Sequence, residues 1–111
     1  MTIRDIINRA RQIVYDTKIP YRFGDEEMRH DVVLAVRRLN VKAPQTRYVA
    51  GGVTDGTVVP VGYENELALD DRYLEALAFY VGWLCYQGDA TDTVNAERAA
   101  TCLQRAESMM V

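Results

Sequence analysis

Tyr73 to Met110 read YLEALAFYVGWLCYQGDATDTVNAERAATCLQRAESMM, about a third of the chain. Asp70 caps a predicted helix over 71–87, on which Leu74, Leu77, Ala78, Val81, Leu84 and Cys85 form the main apolar stripe. Phe79, Tyr80, Trp83 and Tyr86 widen that stripe until little of the circumference is polar. A helix apolar on most sides is buried on most sides, so this one needs neighbours all round. Gly82 costs about 1 kcal/mol relative to alanine within a helix, and its missing side chain admits a close neighbour. Gly88 ends the helix. After DATD, with Thr91, Asp92 or Thr93 as cap, a further helix runs to about Met110. Its stripe of Ala96, Ala99, Ala100, Leu103, Ala106 and Met110 is mostly small, which lets two helix backbones approach and predicts an antiparallel pair with the bulky helix before it.

Upstream, residues 2–17 read as an amphipathic helix. Thr2 and Asp5 form a capping-box variant, and Ile3, Ile6, Ile7, Ala10, Ile13 and Val14 lie on one face with Arg4, Asn8, Arg9 and Arg11 on the other. The connector DTKIPYRFGDEE carries Pro20, which disfavours helix at Ile19, and Tyr21 and Phe23 are expected to turn inward. A second helix spans 26–39, buries Met28, Val32, Ala35, Val36 and Leu39, and stops at Asn40. Between it and the aromatic helix, Pro44 and Pro60 forbid continuous helix, the valines favour extended chain, and Asp55-Gly56 signals a turn. Two strands are expected, near 46–50 and 57–61, forming a hairpin with free edges that a neighbouring chain can extend. The expected fold is therefore mainly α: a single four-helix bundle-like domain over 1–111, with a β-hairpin insertion at about 42–69.

The net charge of −3 argues against general nucleic-acid affinity, which rests on a basic surface that releases counterions. Eleven of the thirteen cations are Arg, the residue favoured at protein interfaces, although composition bias reads equally well. Cys85 and Cys102 lack partners at metal-ligand spacing and read as buried free thiols suited to a reducing compartment. Met1 leads into a polar, Arg-bearing helix rather than a secretory leader, and the apolar run 74–86 is too short for a bilayer, which needs roughly 20 residues.

Chemistry is hard to find. His30 is the single histidine, Ser108 the single serine, and neither cysteine has the electropositive surroundings that would make it a thiolate. The carboxylate runs Asp25/Glu26/Glu27, Glu64/Glu66 and Asp70/Asp71 stand at helix starts, where capping explains them. GGVTDGT lacks the lysine and following helix of a phosphate loop. Arg29, Arg37 and Arg38 share their helix with Asp25, Glu26, Glu27 and Asp31, an unusual load of acid for a DNA-recognition helix. No enzyme activity, cofactor or metal is expected. Binding or assembly remains, supported by the aromatic surplus of the third helix and the free hairpin edges.

The closing segment resembles the C-terminal half of small tailed-phage adaptor proteins, the head–tail connectors below the portal. Their pattern ALxxYxxxxxYxxDxxDxxNxxRA is met by Ala76, Leu77, Tyr80, Tyr86, Asp89, Asp92, Asn95, Arg98 and Ala99. The opening is similar to the family's R(F/W)xDxE stretch at Arg22, Phe23, Asp25 and Glu27, and the likeness is loosest over 42–69. The family's bulky aromatic in the last helix is Leu103 here, and the chain stops right after that helix, whereas many adaptors carry a portal-docking arm. The resemblance implies a structural virion protein of the neck, made in the host cytoplasm. Twelve copies would form a ring joining portal to tail or nozzle protein, with DNA only passing through the channel and no membrane partner. It implies an interface with a sister subunit or the tail on the hairpin at Tyr48, Val49, Val53, Asp55, Val58, Val59 and Val61. Charged contacts would fall to Arg29, Arg37, Arg38 and Arg47, while Asp89, Asp92 and Asn95 would shape the turn between the last helices. The rival readings are a DNA-associated regulator or packaging accessory with a helical core, and a small enzyme subunit active only with a partner.

Overall fold

The computed structural model describes residues 1–16, 19, 21–49, 52–53, 62–67, 69–88 and 93–110. The chain is mainly helical, with helices α1 (Ile3–Ile13), α2 (Asp25–Lys42), α3 (Leu74–Gly88) and α4 (Thr93–Met109). Helix α3 is the hub, against which α1, α2 and α4 all pack, as its all-round apolar surface demands. The pairing of α3 with α4 is antiparallel: Arg105 lies over the Phe79 ring, whereas Arg98 borders the same groove as Tyr86.

The capping box at Thr2 and Asp5 forms, with Asp5 N–H donating to Thr2 Oγ1 at 3.1 Å and Thr2 N–H to Asp5 Oδ2 at 2.9 Å. The N-terminal ammonium meets Glu66 at 2.8 Å and Asp71 at 2.7 Å, and chiefly the Asp71 hydrogen bond, then that of Glu66, raises its pKa to about 10. The segment before α3 lies across the start of α1, with Leu67 N–H donating to Met1 O and Arg4 N–H to Tyr63 O. Helix α1 stops four residues earlier than expected. Tyr15 adopts φ 57°, Asp16 N–H donates to Arg11 O at 2.8 Å and Tyr15 N–H to Gln12 O at 3.4 Å. These are the two bonds of a Schellman motif, here closed by a tyrosine where glycine is usual, at a cost of about 1 kcal/mol.

The second helix buries Met28, Val32, Ala35, Val36 and Leu39 as its spacing predicts, but it begins at Asp25 and runs past Asn40 to Lys42. Asn40 does not end it. Its side-chain oxygen instead accepts from the Thr46 hydroxyl at 2.8 Å, and the helix ends just before Pro44, where the proline ring disfavours a helical predecessor. On α4 the buried stripe is Ala99, Cys102 and Ala106, with Met110 buried just past its end, while Leu103 is partly covered and Ala96 and Ala100 face outward, a correction to the expected stripe.

The hairpin also departs from expectation. Thr46 and Arg47 belong to a 3₁₀ turn, Pro44–Arg47, and only Tyr48–Val49 is extended. This two-residue strand, β1, pairs antiparallel with β2, Gly52–Val53, so that Val53, expected in the tip, stands opposite Tyr48. The expected partner strand at 57–61, with Asp55, Val58, Val59 and Val61, lies outside the described residues, as do Asp89 and Asp92. The side chains of Arg47, Tyr48, Val49, Val53 and Asn95 are likewise outside them. The described residues thus establish the helical architecture and not a hairpin insertion.

Candidate interaction surfaces

The polar centre of the molecule lies where α1 gives way to α2. Arg11 and Asp16 are 4% and 6% exposed, and Arg11 Nη1 donates to Asp16 Oδ2 at 2.7 Å. The same guanidinium donates to Phe23 O at 2.9 Å and Asp25 Oδ1 at 2.6 Å. The Tyr21 ring packs on it, 3.9 Å from centroid to guanidinium carbon. Asp16 in turn accepts the backbone N–H groups of Arg22 at 2.7 Å and Phe23 at 3.1 Å. Arg11 was expected on the polar face and Tyr21 inside; the structure reverses both. Four residues after Ile7 and three before Val14, Arg11 falls on the apolar stripe of the helix, a position its charge obscured. Asp25 is not the expected cap: its carboxylate turns to Arg11 and Arg4, and the Arg11 hydrogen bond foremost lowers its pKa.

This centre orients the first turn of α2, which with α3 forms an open cleft of about 690 Å³. Phe23, Leu84 and Cys85 supply its apolar surface, and Arg22, Glu26, Glu27, His30 and Asp31 its polar one. Tyr63 donates its hydroxyl to Glu26 across the rim. Asp31 is half-buried and makes no salt bridge among the described residues; the Cys85 thiol lies 3.9 Å from its Oδ2. Burial raises the Asp31 pKa to about 6, against the opposing effect of His30 and with help from Glu27. Burial foremost, then the charge of Asp31, pushes the Cys85 thiol up to about 12, so it stays protonated. His30 and Cys85 thus line one cleft, with the thiol shifted away from its thiolate form. No group of three or more His, Cys, Asp or Glu side chains among the described residues is arranged to hold a metal.

A raised carboxyl pKa is a stability statement. Between the unfolded carboxyl pKa of about 4 and the native value of about 6, the native state holds a proton on Asp31 that the unfolded chain has lost. The resulting stability is present below the unfolded value and disappears as pH rises through about 6. Asp31→Asn is expected to be more stable than the parent at pH 7 by about 1 kcal/mol, after discounting for the partial solvent contact of the carboxylate. Urea titrations at pH 7 and at pH 4 check this: the difference should shrink at the lower pH, and an equal difference at both would refute it.

A second, smaller groove of about 230 Å³ lies between α3 and α4, near the end of α1, and is bordered by Ile13, Tyr15, Phe79, Tyr86 and Arg105 among others. Tyr86 is buried, but Phe79, Tyr80 and Trp83 are each only partly covered by their own chain. Tyr80 and Trp83 meet edge to face with centroids 5.0 Å apart. Of the cations singled out by sequence, Arg38 donates to Glu107 at 2.9 Å and Lys42 joins the same carboxylate at 3.3 Å, tying the end of α2 to α4. Arg37 is exposed and Arg29 half-buried. These residues do not converge on one site: Arg38 has a structural partner, and Arg37 points away from the core. No helix among the described residues is long and apolar enough to cross a membrane. Comparison with protein-family models, curated proteins and solved structures finds no match.

Proposed function

We propose that the protein is a head–tail adaptor of a tailed phage, a structural virion component whose copies form a ring between portal and tail and leave a channel for DNA. The observation that carries this reading is the incomplete covering of Phe79, Tyr80 and Trp83 on the central helix. Aromatic surface held rigidly at a helix face is the kind of anchor that protein interfaces use. The resemblance of the α3–α4 segment to adaptor sequences supplies the class of partner. In this reading the region from Tyr48 to Val61 contacts a neighbouring subunit or the tail, Arg29, Arg37, Arg38 and Arg47 set register through charge, and Asp89, Asp92 and Asn95 shape the turn before α4. The neck of the virion is the proposed location.

Negative-stain imaging of the chain mixed with portal protein from the same phage tests the proposal. Twelve-fold density beneath the portal is the expected result. An undecorated portal, together with binding to plain duplex DNA that weakens steeply with salt, would overturn it in favour of the DNA-associated reading.

A further inference from the structure

Helix α2 is electrically lopsided. Its first half places Glu26, Glu27 and Asp31 on the cleft, and its last turns carry Arg37, Arg38 and Lys42. Within the chain these charges are unevenly answered. Glu107 engages both Arg38 and Lys42. Among the described residues neither Glu27 nor Asp31 has a salt bridge, and Arg37, which is exposed, has none either. They cannot serve one another, because Glu27 and Arg37 are ten residues apart on a straight helix, about 15 Å. The cleft holds three carboxylates to one guanidinium, that of Arg22, and one imidazole, that of His30, over an apolar floor of Phe23 and Leu84. Such a floor accepts the flat face and methylene stem of an arginine while the carboxylates bind its N–H fork. Beyond Arg37, Val41 is 69% exposed, so the basic end of α2 also offers apolar surface to whatever approaches it.

We infer that the cleft is the socket for Arg37 of a second copy of this chain. The contact joins unlike surfaces, acidic on one copy and basic on the next, and such heterologous contacts propagate into rings or open filaments. In its ring geometry the inference rests on the adaptor reading above; the contact itself rests on the charge distribution of α2.

Sedimentation velocity of the full chain over a concentration series up to about millimolar tests the contact. Glu27→Arg and Arg37→Glu each lie on exposed positions, and circular dichroism verifies that both variants remain folded. Each single reversal should weaken self-association by about ten-fold or more, and the double variant, Glu27→Arg with Arg37→Glu, should recover most of the loss. A parent chain that stays monomeric throughout, single reversals without effect, or a double variant no better than the singles would each overturn the inference. A chain that decorates portal yet ignores these reversals refutes the Arg37 socket and leaves the adaptor reading intact. A swap-sensitive self-association without portal binding does the reverse.

Discussion

Asp16→Ala is expected to destabilise the fold by about 3–5 kcal/mol, the range for removing one partner of a buried ion pair. The variant leaves Arg11 buried beside a vacated counter-ion position and orphans the backbone N–H groups of Arg22 and Phe23. Asp25 remains 2.6 Å from the guanidinium, so the cost falls on the Arg11 Nη1 group that loses its carboxylate and on the two orphaned N–H groups rather than on a wholly unpaired charge. A variant in which Arg11→Met accompanies Asp16→Ala should therefore be more stable than Asp16→Ala alone. Urea unfolding monitored through Trp83 measures all three chains. A single variant within about 1 kcal/mol of the parent would show that water reaches this centre and answers Arg11 in place of Asp16. The effect bears on function because Asp16 holds the two residues, Arg22 and Phe23, that lead into the cleft.

Gly82→Leu is the second large effect, with an expected cost of about 2–3 kcal/mol from overpacking. A β-carbon at Gly82 would stand 3.3 Å from Ile13 Cγ2, 3.5 Å from Val14 Cγ1 and 3.7 Å from Cys102 Sγ. The position is thus a meeting point of α1, α3 and α4, and a branched side chain has nowhere to go. Gly82→Ala separates space from backbone propensity. Its single methyl is tight against Ile13 but meets only side-chain ends that can yield by a few tenths of an ångström. The helix gains about 1 kcal/mol in propensity, so the net change should be near zero. Thermal denaturation of the two variants checks the contrast, and a leucine tolerated as well as the alanine would mean that α1 and α4 do not close on α3 as described.

Much of the architecture was legible in the residues. Four helices, the capping box at Thr2, the stripe on α2 and the close approach at Gly82 all follow from spacing and side-chain chemistry within a turn or two; Asp70 does cap, accepting from Arg72 N–H at 3.0 Å, but it caps a 3₁₀ turn, Asp71–Tyr73, that leads into α3. The ends were less legible. Nothing in VYDT announces that Tyr15 will take a left-handed conformation, because the pull comes from Asp16 meeting Arg11 and the N–H groups of Arg22 and Phe23. Asn40 looked like a stop, yet the helix continues because Thr46 takes its side chain as a partner. Val53 read as part of a tip, yet it stands opposite Tyr48 in the β1–β2 pairing, because valines specify little about register where turn and strand compete within a few residues.

The candidate surfaces divide the same way. Sequence by itself determined that α3 is apolar on nearly every side and must sit among the other helices, since periodicity is a local property of the chain. It also placed acids at one end of α2 and cations at the other. Only the tertiary structure decided that Arg11 is buried, that Asp31 shares a cleft with Cys85, and that Phe79, Tyr80 and Trp83 stay partly uncovered while Tyr86 does not. Burial is set by how the chain folds back: Arg11 meets Asp16 and Asp25 across a turn that local periodicity does not describe, and Asp31 meets Cys85 from 54 positions away.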